Sequence, residues 1–170
     1  GMDLELLDWL NTYTFPQEAR YENTEFAKEA YSVFAEDMKK SPNTRACIFG
    51  TLHVPATEIL MEQLDKTGIK AMVGKVNMDR NGSPQLQEES AQASADATIQ
   101  WIEDTLDKFE NVKPILTPRF TPSCSDELME KLSEIQKRYH LPMQSHLSEN
   151  FGEIAWVKEL CPNTHFYGEA

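Results

Sequence analysis

The chain has 170 residues, of which 40% are apolar, so it can bury a hydrophobic core and its size suits one compact domain over residues 1–170. Its formal net charge of −12 at pH 7 argues against nucleic acid and anionic membranes as partners, because phosphate groups repel an acidic surface. A small polar substrate in a local pocket is compatible with this charge.

Three cysteines lie far apart, at Cys47, Cys124 and Cys161, and none forms a Cys-x-x-Cys pair. This spacing encodes neither a zinc ribbon nor a redox pair. We expect reduced thiols in a cytoplasmic protein, since the sequence has no signal peptide and no apolar run near the roughly 18 residues of a membrane span. Cys47 is predicted to lie in the core and Cys124 to lie where it can line a pocket. Gly1 before Met2 is typical of a residue left by tag cleavage.

Two helices are predicted before the first strand. Apolar residues recur at helical spacing over residues 3–13. Pro16 is expected to end this helix, because the residue before a proline is pushed out of the α region. Asn23 then offers an N-terminal cap for a second helix, whose apolar stripe runs from Phe26 to Met38.

The rest of the chain alternates between β-favouring runs and amphipathic helical patterns. Strands are predicted at residues 44–49, 69–76, 112–116 and 141–146, and helices at residues 57–66, 88–109, 125–139 and 151–160. Gly68 suits the end of the first of these helices and Ser125 the start of the third. In the last helix, Ile154, Val157 and Leu160 are expected to be buried.

Alternating β and α units imply a parallel sheet with right-handed crossovers. The predicted fold class is therefore α/β, with about four βα units preceded by two helices. Four units amount to half of a (β/α)8 TIM barrel, and the alternative is a small open three-layer sheet. No Gly-x-Gly-x-x-Gly and no Gly-Lys-Ser/Thr motif follows a predicted strand, so nucleotide binding of the familiar kinds is not supported.

His146 ends the predicted fourth strand, and Glu149 follows it three residues later. The carboxyl ends of parallel strands are where α/β folds place their chemistry. A neutral imidazole there is either a zinc ligand or a structural hydrogen-bonding group. Glu149 is either a proton acceptor beside metal-bound water or an acid that stabilises the start of the next helix.

Arg119 and Phe120 follow the third strand, between Pro118 and Pro122. A guanidinium offers paired donors to a planar carbonyl, and a phenyl ring offers a stacking face. The alternative is a surface ion pair and a core phenylalanine. His53 follows the first strand and is expected to lie behind the site or to be structural.

Several stretches together resemble the guanine deaminases, which are zinc-dependent members of the amidohydrolase superfamily. The similarity runs through nearly the whole chain in the family's order. It rests on L-D-W-L-N-T-Y-T-F-P at residues 7–16, C-I-F-G-T-L-H at 47–53, V-G-K-V-N-M-D at 73–79, P-R-F at 118–120 with S-C-S at 123–125, and Q-S-H-L-S-E-N at 144–150.

The resemblance implies a role for each candidate residue. His146 would be a zinc ligand from the fifth barrel strand, and Glu149 would be the proton shuttle. Arg119 would hold a purine at its carbonyl side, and the ring of Phe120 would pack against the purine. The implied reaction is the hydrolysis of guanine to xanthine and ammonia by zinc-activated water. Another aminopurine or a chlorohydrolase-type ring is the alternative substrate.

The family's remaining zinc ligands do not occur between Asp3 and Ala170. Its first-strand His-x-His pair would precede this range, and a later histidine and an aspartate would follow it. The resemblance therefore implies a fragment covering roughly strands 2–5 of the barrel, with little or no activity alone. A non-catalytic half-barrel interaction domain is the other alternative. Open sheet edges invite pairing with a second copy, so we expect a homo-oligomer.

Overall fold

The computed structural model describes residues 3–170, so Gly1 and Met2, the predicted remnant of tag cleavage, lie outside the described residues. The helices and strands are α1 (Leu6–Trp9), α2 (Phe15–Glu18), α3 (Thr24–Lys40), β1 (Arg45–Phe49), α4 (Val54–Asp65), β2 (Lys70–Gly74), β3 (Val76–Asn77), α5 (Ala91–Thr105), β4 (Val112–Pro114), β5 (Thr117–Pro118), α6 (Asp126–Tyr139) and α7 (Phe151–Leu160). Within residues 3–170, each helix is too short or too polar to cross a lipid bilayer.

The helix ends follow the predicted capping chemistry. The side chain of Asn23 accepts hydrogen bonds from the backbone N–H groups of Glu25 and Phe26 at 2.9 and 3.2 Å. Ser125 caps α6 in the same way, and both caps satisfy donors that the first helical turn leaves free. Gly68 has φ of +79°, the left-handed conformation in which glycine carries no steric penalty. These three predictions are confirmed.

The predicted break before Pro16 is wrong. The chain passes from α1 through a π-helical turn at Leu10–Thr14 into α2, and Phe15 keeps helical dihedral angles of −61° and −43°. A π turn widens the helix. We attribute the continuity to this widening, because the proline ring would otherwise meet the carbonyl four residues earlier. A continuous helical segment therefore leads up to Glu18.

The strands form a parallel arrangement in sequence order. β2 pairs with β1 on one side and with β4 on the other, and β3 pairs with β5. The predicted second and third strands are thus each interrupted once. Lys75 lies at the first interruption, where it is buried and paired with Glu88. Burial lowers the pKa of Lys75, and the adjacent Glu88 carboxylate opposes that effect.

The predicted buried strand at residues 141–146 is only partly correct. It runs parallel to the end of the third strand, with a single bridge between Leu116 and Met143. The His146 N–H donates to the Arg119 carbonyl at 3.0 Å. Of these six residues only Leu141 is buried. The segment has a strand neighbour on one side only among the described residues, so its ladder is sparse and its other edge is open.

The sheet is strongly curved. The Gln144 side chain donates to the Ile48 carbonyl of β1 at 3.2 Å and to Thr117 Oγ1 at 3.0 Å. Neighbouring strands are about 4.8 Å apart, so the first and last members of a flat four-strand array would lie too far apart for this contact. Curvature of this kind suits a barrel wall and argues against the open three-layer alternative. The main core lies between this wall and helices α3–α6.

The last helix, α7, buries less than predicted. Val157 is buried, as expected, but Ile154 is 38% exposed and Leu160 is 36% exposed. Both predictions of burial are therefore wrong. Helix α7 contacts α1, the turn at Thr121–Ser123 and the turn at Tyr167–Glu169, and these contacts leave Ile154 and Leu160 partly exposed.

Candidate functional site

A cavity of about 710 Å³ lies at the carboxyl ends of the strands. Its wall includes all four residues singled out in the sequence, namely Arg119, Phe120, His146 and Glu149. The wall is completed by Phe49 at the end of β1, Gly50 and Thr51 after it, Val76 of β3 and residues of the N-terminal helical segment. The expectation that polar residues meet at this edge of the sheet agrees with the structure.

A hydrogen bond to the backbone of Arg119 orients the ring of His146. Its Nδ1 lies 2.9 Å from the carbonyl oxygen of Arg119. A carbonyl can only accept, so Nδ1 carries the proton and donates it. In the neutral imidazole this leaves the lone pair on Nε2, as in histidines that bind a metal through Nε2. The ring also packs against Phe49, with 4.2 Å between ring centroids.

Arg119 is buried, with its side chain only 9% exposed. Its Nη1 donates to both carboxylate oxygens of Glu18, at 3.0 and 2.8 Å. The guanidinium carbon lies 4.8 Å from the centre of the Phe15 ring, within range of a cation–π interaction. The alternative of a surface ion pair is therefore wrong in one respect, since the pair exists but is buried at the cavity wall.

Phe120 and Glu149 differ in how firmly they are held. Phe120 is buried and meets Trp156 edge to face, with 6.3 Å between ring centroids. Glu149 is exposed, but its backbone N–H donates to Oε2 of the buried Glu153 at 2.7 Å. The Tyr167 hydroxyl donates to the other oxygen of Glu153 at 2.6 Å. Glu153 therefore anchors the backbone of Glu149 and leaves its carboxylate free to move.

Glu18 was missed by the sequence analysis, although a signal for it exists. Leu10, Thr14, Glu18 and Tyr21 recur at helical spacing, and all four line the cavity. Among these residues Glu18 is the one carboxylate. A charged residue on the stripe that a helix turns toward a cavity is a candidate binding or positioning group.

His53 and Cys124 lie outside the wall of this cavity. His53 Nδ1 is 3.2 Å from Oγ1 of Thr51, which does line the cavity. Burial lowers the pKa of His53, and nearby acidic residues partly oppose that effect. The thiol of Cys124 is buried and donates to the Asn77 carbonyl at 3.3 Å, so the prediction that it can line a pocket is wrong.

The described residues do not form a complete metal site. Within residues 3–170 no group of three histidine, cysteine, aspartate or glutamate side chains is placed to hold a metal ion. A catalytic zinc usually takes three protein ligands and a water. His146 fits one ligand position through Nε2, and the rest of the cavity wall supplies no second imidazole.

Comparisons with known proteins agree with this geometry. Residues 1–169 match the model of the amidohydrolase family. A guanine deaminase of Rattus norvegicus is 44% identical over 168 residues, covering 98% of this chain and 37% of that protein. A 5′-deoxyadenosine deaminase of Methanococcus aeolicus is 29% identical over 160 residues, covering 93% of this chain and 35% of that protein.

A solved structure matches this chain in both sequence and backbone shape. The crystal structure of guanine deaminase from C. acetobutylicum, with bound guanine in the active site, superposes with a TM-score of 0.96 at 50% identity. The match covers 99% of this chain and 40% of that one. Together with the family match it confirms the predicted fold class, a partial (β/α)8 barrel. The chain spans well under half the length of these relatives.

Proposed function

This chain belongs to the amidohydrolase family, and we propose that it supplies guanine-holding and proton-transfer residues of a guanine deaminase. The observation that carries the proposal is the convergence of Arg119, Phe120, His146 and Glu149 on one cavity. The likeness to guanine deaminases at 44–50% identity supports the choice of substrate. The reaction replaces the amino group of guanine with a carbonyl, using water and releasing ammonia.

Arg119 and Phe120 would hold the base. The volume of about 710 Å³ lies within the usual range of small-molecule pockets, about 300–1,000 Å³, and admits a bicyclic ring. The guanidinium of Arg119 donates to the ring carbonyl, and Phe120 packs against the purine. A carbonyl-bearing base satisfies the guanidinium, whereas adenine presents no carbonyl. This difference favours guanine over the other aminopurines.

Glu149 would transfer protons at the carbon that carries the amino group. Its exposed carboxylate would accept one proton from the attacking water and pass it to the ring nitrogen. It would then take the second proton from the added hydroxyl and give it to the amino group, which leaves as ammonia as the carbon–nitrogen bond breaks and the new carbonyl forms. Members of this family are generally zinc-dependent, and zinc would supply the activated water. The described residues fit one zinc-ligand position, at His146, and do not form a complete site.

We also propose that the chain forms a homo-oligomer. Phe151 is 91% exposed, and Leu147 and Phe166 are 58% and 65% exposed. Leu147 directly follows the open strand at residues 141–146, and Phe151 begins α7. Apolar side chains beside an unpaired strand edge favour pairing with another chain.

Equilibrium dialysis of labelled guanine against the purified 170-residue chain tests the binding proposal. We expect guanine to bind more tightly than adenine, and Arg119→Ala to weaken guanine binding about tenfold or more, because a hydrogen bond from a charged donor is lost. Arg138→Ala is the matched control, since that arginine is exposed and pairs with Glu103 on another helix. We expect no ammonia release from this chain alone.

Three outcomes would contradict the proposal. They are equal binding of guanine and adenine, an Arg119→Ala chain that binds guanine as tightly as wild type, and a wild-type chain that binds no guanine. Ammonia release by the chain alone would contradict the expectation of inactivity and would show that it assembles a working site.

A further inference from the structure

We propose that Glu18 is a positioning residue that orients Arg119 toward the carbonyl of the bound base. The inference rests on the proposed function, because it assigns to Glu18 a part in recognising the same ligand. The two residues lie 101 positions apart in the sequence and come together at the cavity wall.

Glu18 binds one end of the guanidinium and leaves the other end open. Both carboxylate oxygens accept from Nη1, and within residues 3–170 every hydrogen bond of this guanidinium comes from Nη1. Nε and Nη2 keep three N–H donors. Neither Nε nor Nη2 is among the fully buried polar atoms that lack a hydrogen bond. Both nitrogens are therefore accessible, and this end of the guanidinium can reach a ligand in the cavity.

Further contacts restrict rotation of the guanidinium. The Phe15 ring lies 4.8 Å from its central carbon, and the Met78 sulfur lies 3.8 Å from Nη1. The backbone N–H of Arg119 donates to the Asn77 carbonyl at 3.1 Å. Among the described residues, Glu18 is the one carboxylate paired with this guanidinium, and both side chains are about one-tenth exposed; losing it would remove the ion pair that fixes Nη1. The guanidinium would then turn toward water, and the donors would leave the carbonyl position.

The placement of Glu18 separates this role from that of a general structural ion pair. The carboxylate lines the cavity at the last residue of α2, within the helical segment that begins with α1. An ion pair that only held the fold would affect all ligands of the cavity equally. A pair that orients donors toward a carbonyl affects only ligands that carry that carbonyl.

The test compares guanine with 2-aminopurine, which keeps the ring and the amino group but lacks the carbonyl. We expect Glu18→Gln to weaken guanine binding about tenfold, as for loss of a charged hydrogen bond, and to leave 2-aminopurine binding nearly unchanged. The double variant with Arg119→Ala should bind guanine no more weakly than Arg119→Ala alone, because the two residues act as one unit. Equal losses for both ligands, or additive effects, would overturn the inference.

A ligand-free measurement separates this inference from the proposed function. In ¹⁵N spectra of the arginine side chains, wild type should show separate Nη1 and Nη2 signals for Arg119, which merge in Glu18→Gln. A single averaged signal in wild type would overturn the positioning role. Failure of the wild-type chain to bind guanine would instead overturn the proposed function, and the ligand-specific part of this inference would fall with it.

Discussion

At the scale of single residues, the buried charges of this acidic chain cluster next to the cavity. Lys75 pairs with Glu88, and Glu88 also accepts the backbone N–H of Met78 at 3.1 Å. Met78 in turn touches Nη1 of Arg119. A buried charge that loses its partner is costly, so each pair limits how far the wall beside Arg119 can move.

The three thiols should differ strongly in reactivity. Cys124 is buried, and burial raises the pKa of its thiol to about 11. Below that pH the proton stays on sulfur, so the reactive thiolate is scarce at pH 8. Cys47 is exposed, contrary to the prediction that it lies in the core. We expect a disulfide reagent at pH 8 to label Cys47 quickly, half-buried Cys161 more slowly, and Cys124 only after unfolding.

Serine replacements identify each phase of this labelling reaction. Cys47→Ser should remove the fast phase, and Cys124→Ser should remove only the thiol that reacts in denaturant. Raising the pH toward 11 should speed up any native labelling of Cys124, since the thiolate fraction rises about tenfold per pH unit below the pKa. Fast labelling of Cys124 at pH 8 would show that its surroundings are open to solvent.

At the scale of elements, local chemistry predicted the helices better than the strands. Asn23 and Ser125 begin helices because each residue satisfies free N–H groups within its own first turn. Strand 141–146 depends on partners elsewhere in the chain, and a run of apolar residues does not say whether a neighbour lies on both sides. The continuity through Pro16 required a π turn, which the sequence pattern does not encode.

Gly74, the last residue of β2, allows the two sheet segments to approach closely. A Cβ at this position would lie 2.6 Å from Cβ of Thr117 and 2.9 Å from the carbonyl oxygen of Ile115. Both contacts are shorter than van der Waals distance, and one involves backbone. We expect Gly74→Ala to lower the free energy of unfolding by about 1–3 kcal/mol, the usual cost of overpacking, as measured by urea denaturation.

Gly152 is the matched control for this substitution. It lies in α7, and the nearest heavy atom to an added Cβ is Oδ1 of Asn150 at 3.4 Å, an ordinary contact. Gly152→Ala should therefore raise the free energy of unfolding by up to about 1 kcal/mol, because alanine loses less backbone entropy in a helix. An unchanged denaturation midpoint for Gly74→Ala would show that β2 and β5 can separate at little cost.

At the scale of the whole molecule, strand order and strand ends predicted which side chains would meet. Arg119 and His146 follow neighbouring parallel strands, so the topology brings them to the same edge. The Glu18–Arg119 pair joins a helical segment to that edge across most of the chain. No local pattern links the two residues, and their pairing depends on how the N-terminal helices pack over the barrel wall.

The open strand edge at residues 141–146 should lead the chain to self-associate. We expect the chain to form a dimer or larger oligomer at micromolar concentration in sedimentation velocity, and Phe151→Glu to shift it toward monomer. Val33→Glu is the control, because Val33 is 64% exposed on α3, a helix that packs against α4 and the turn at Ala19–Glu22. The net charge of −12 opposes association, so salt should strengthen it by screening the repulsion. A wild-type chain that stays monomeric at high salt would show that the open edge is protected without a second copy.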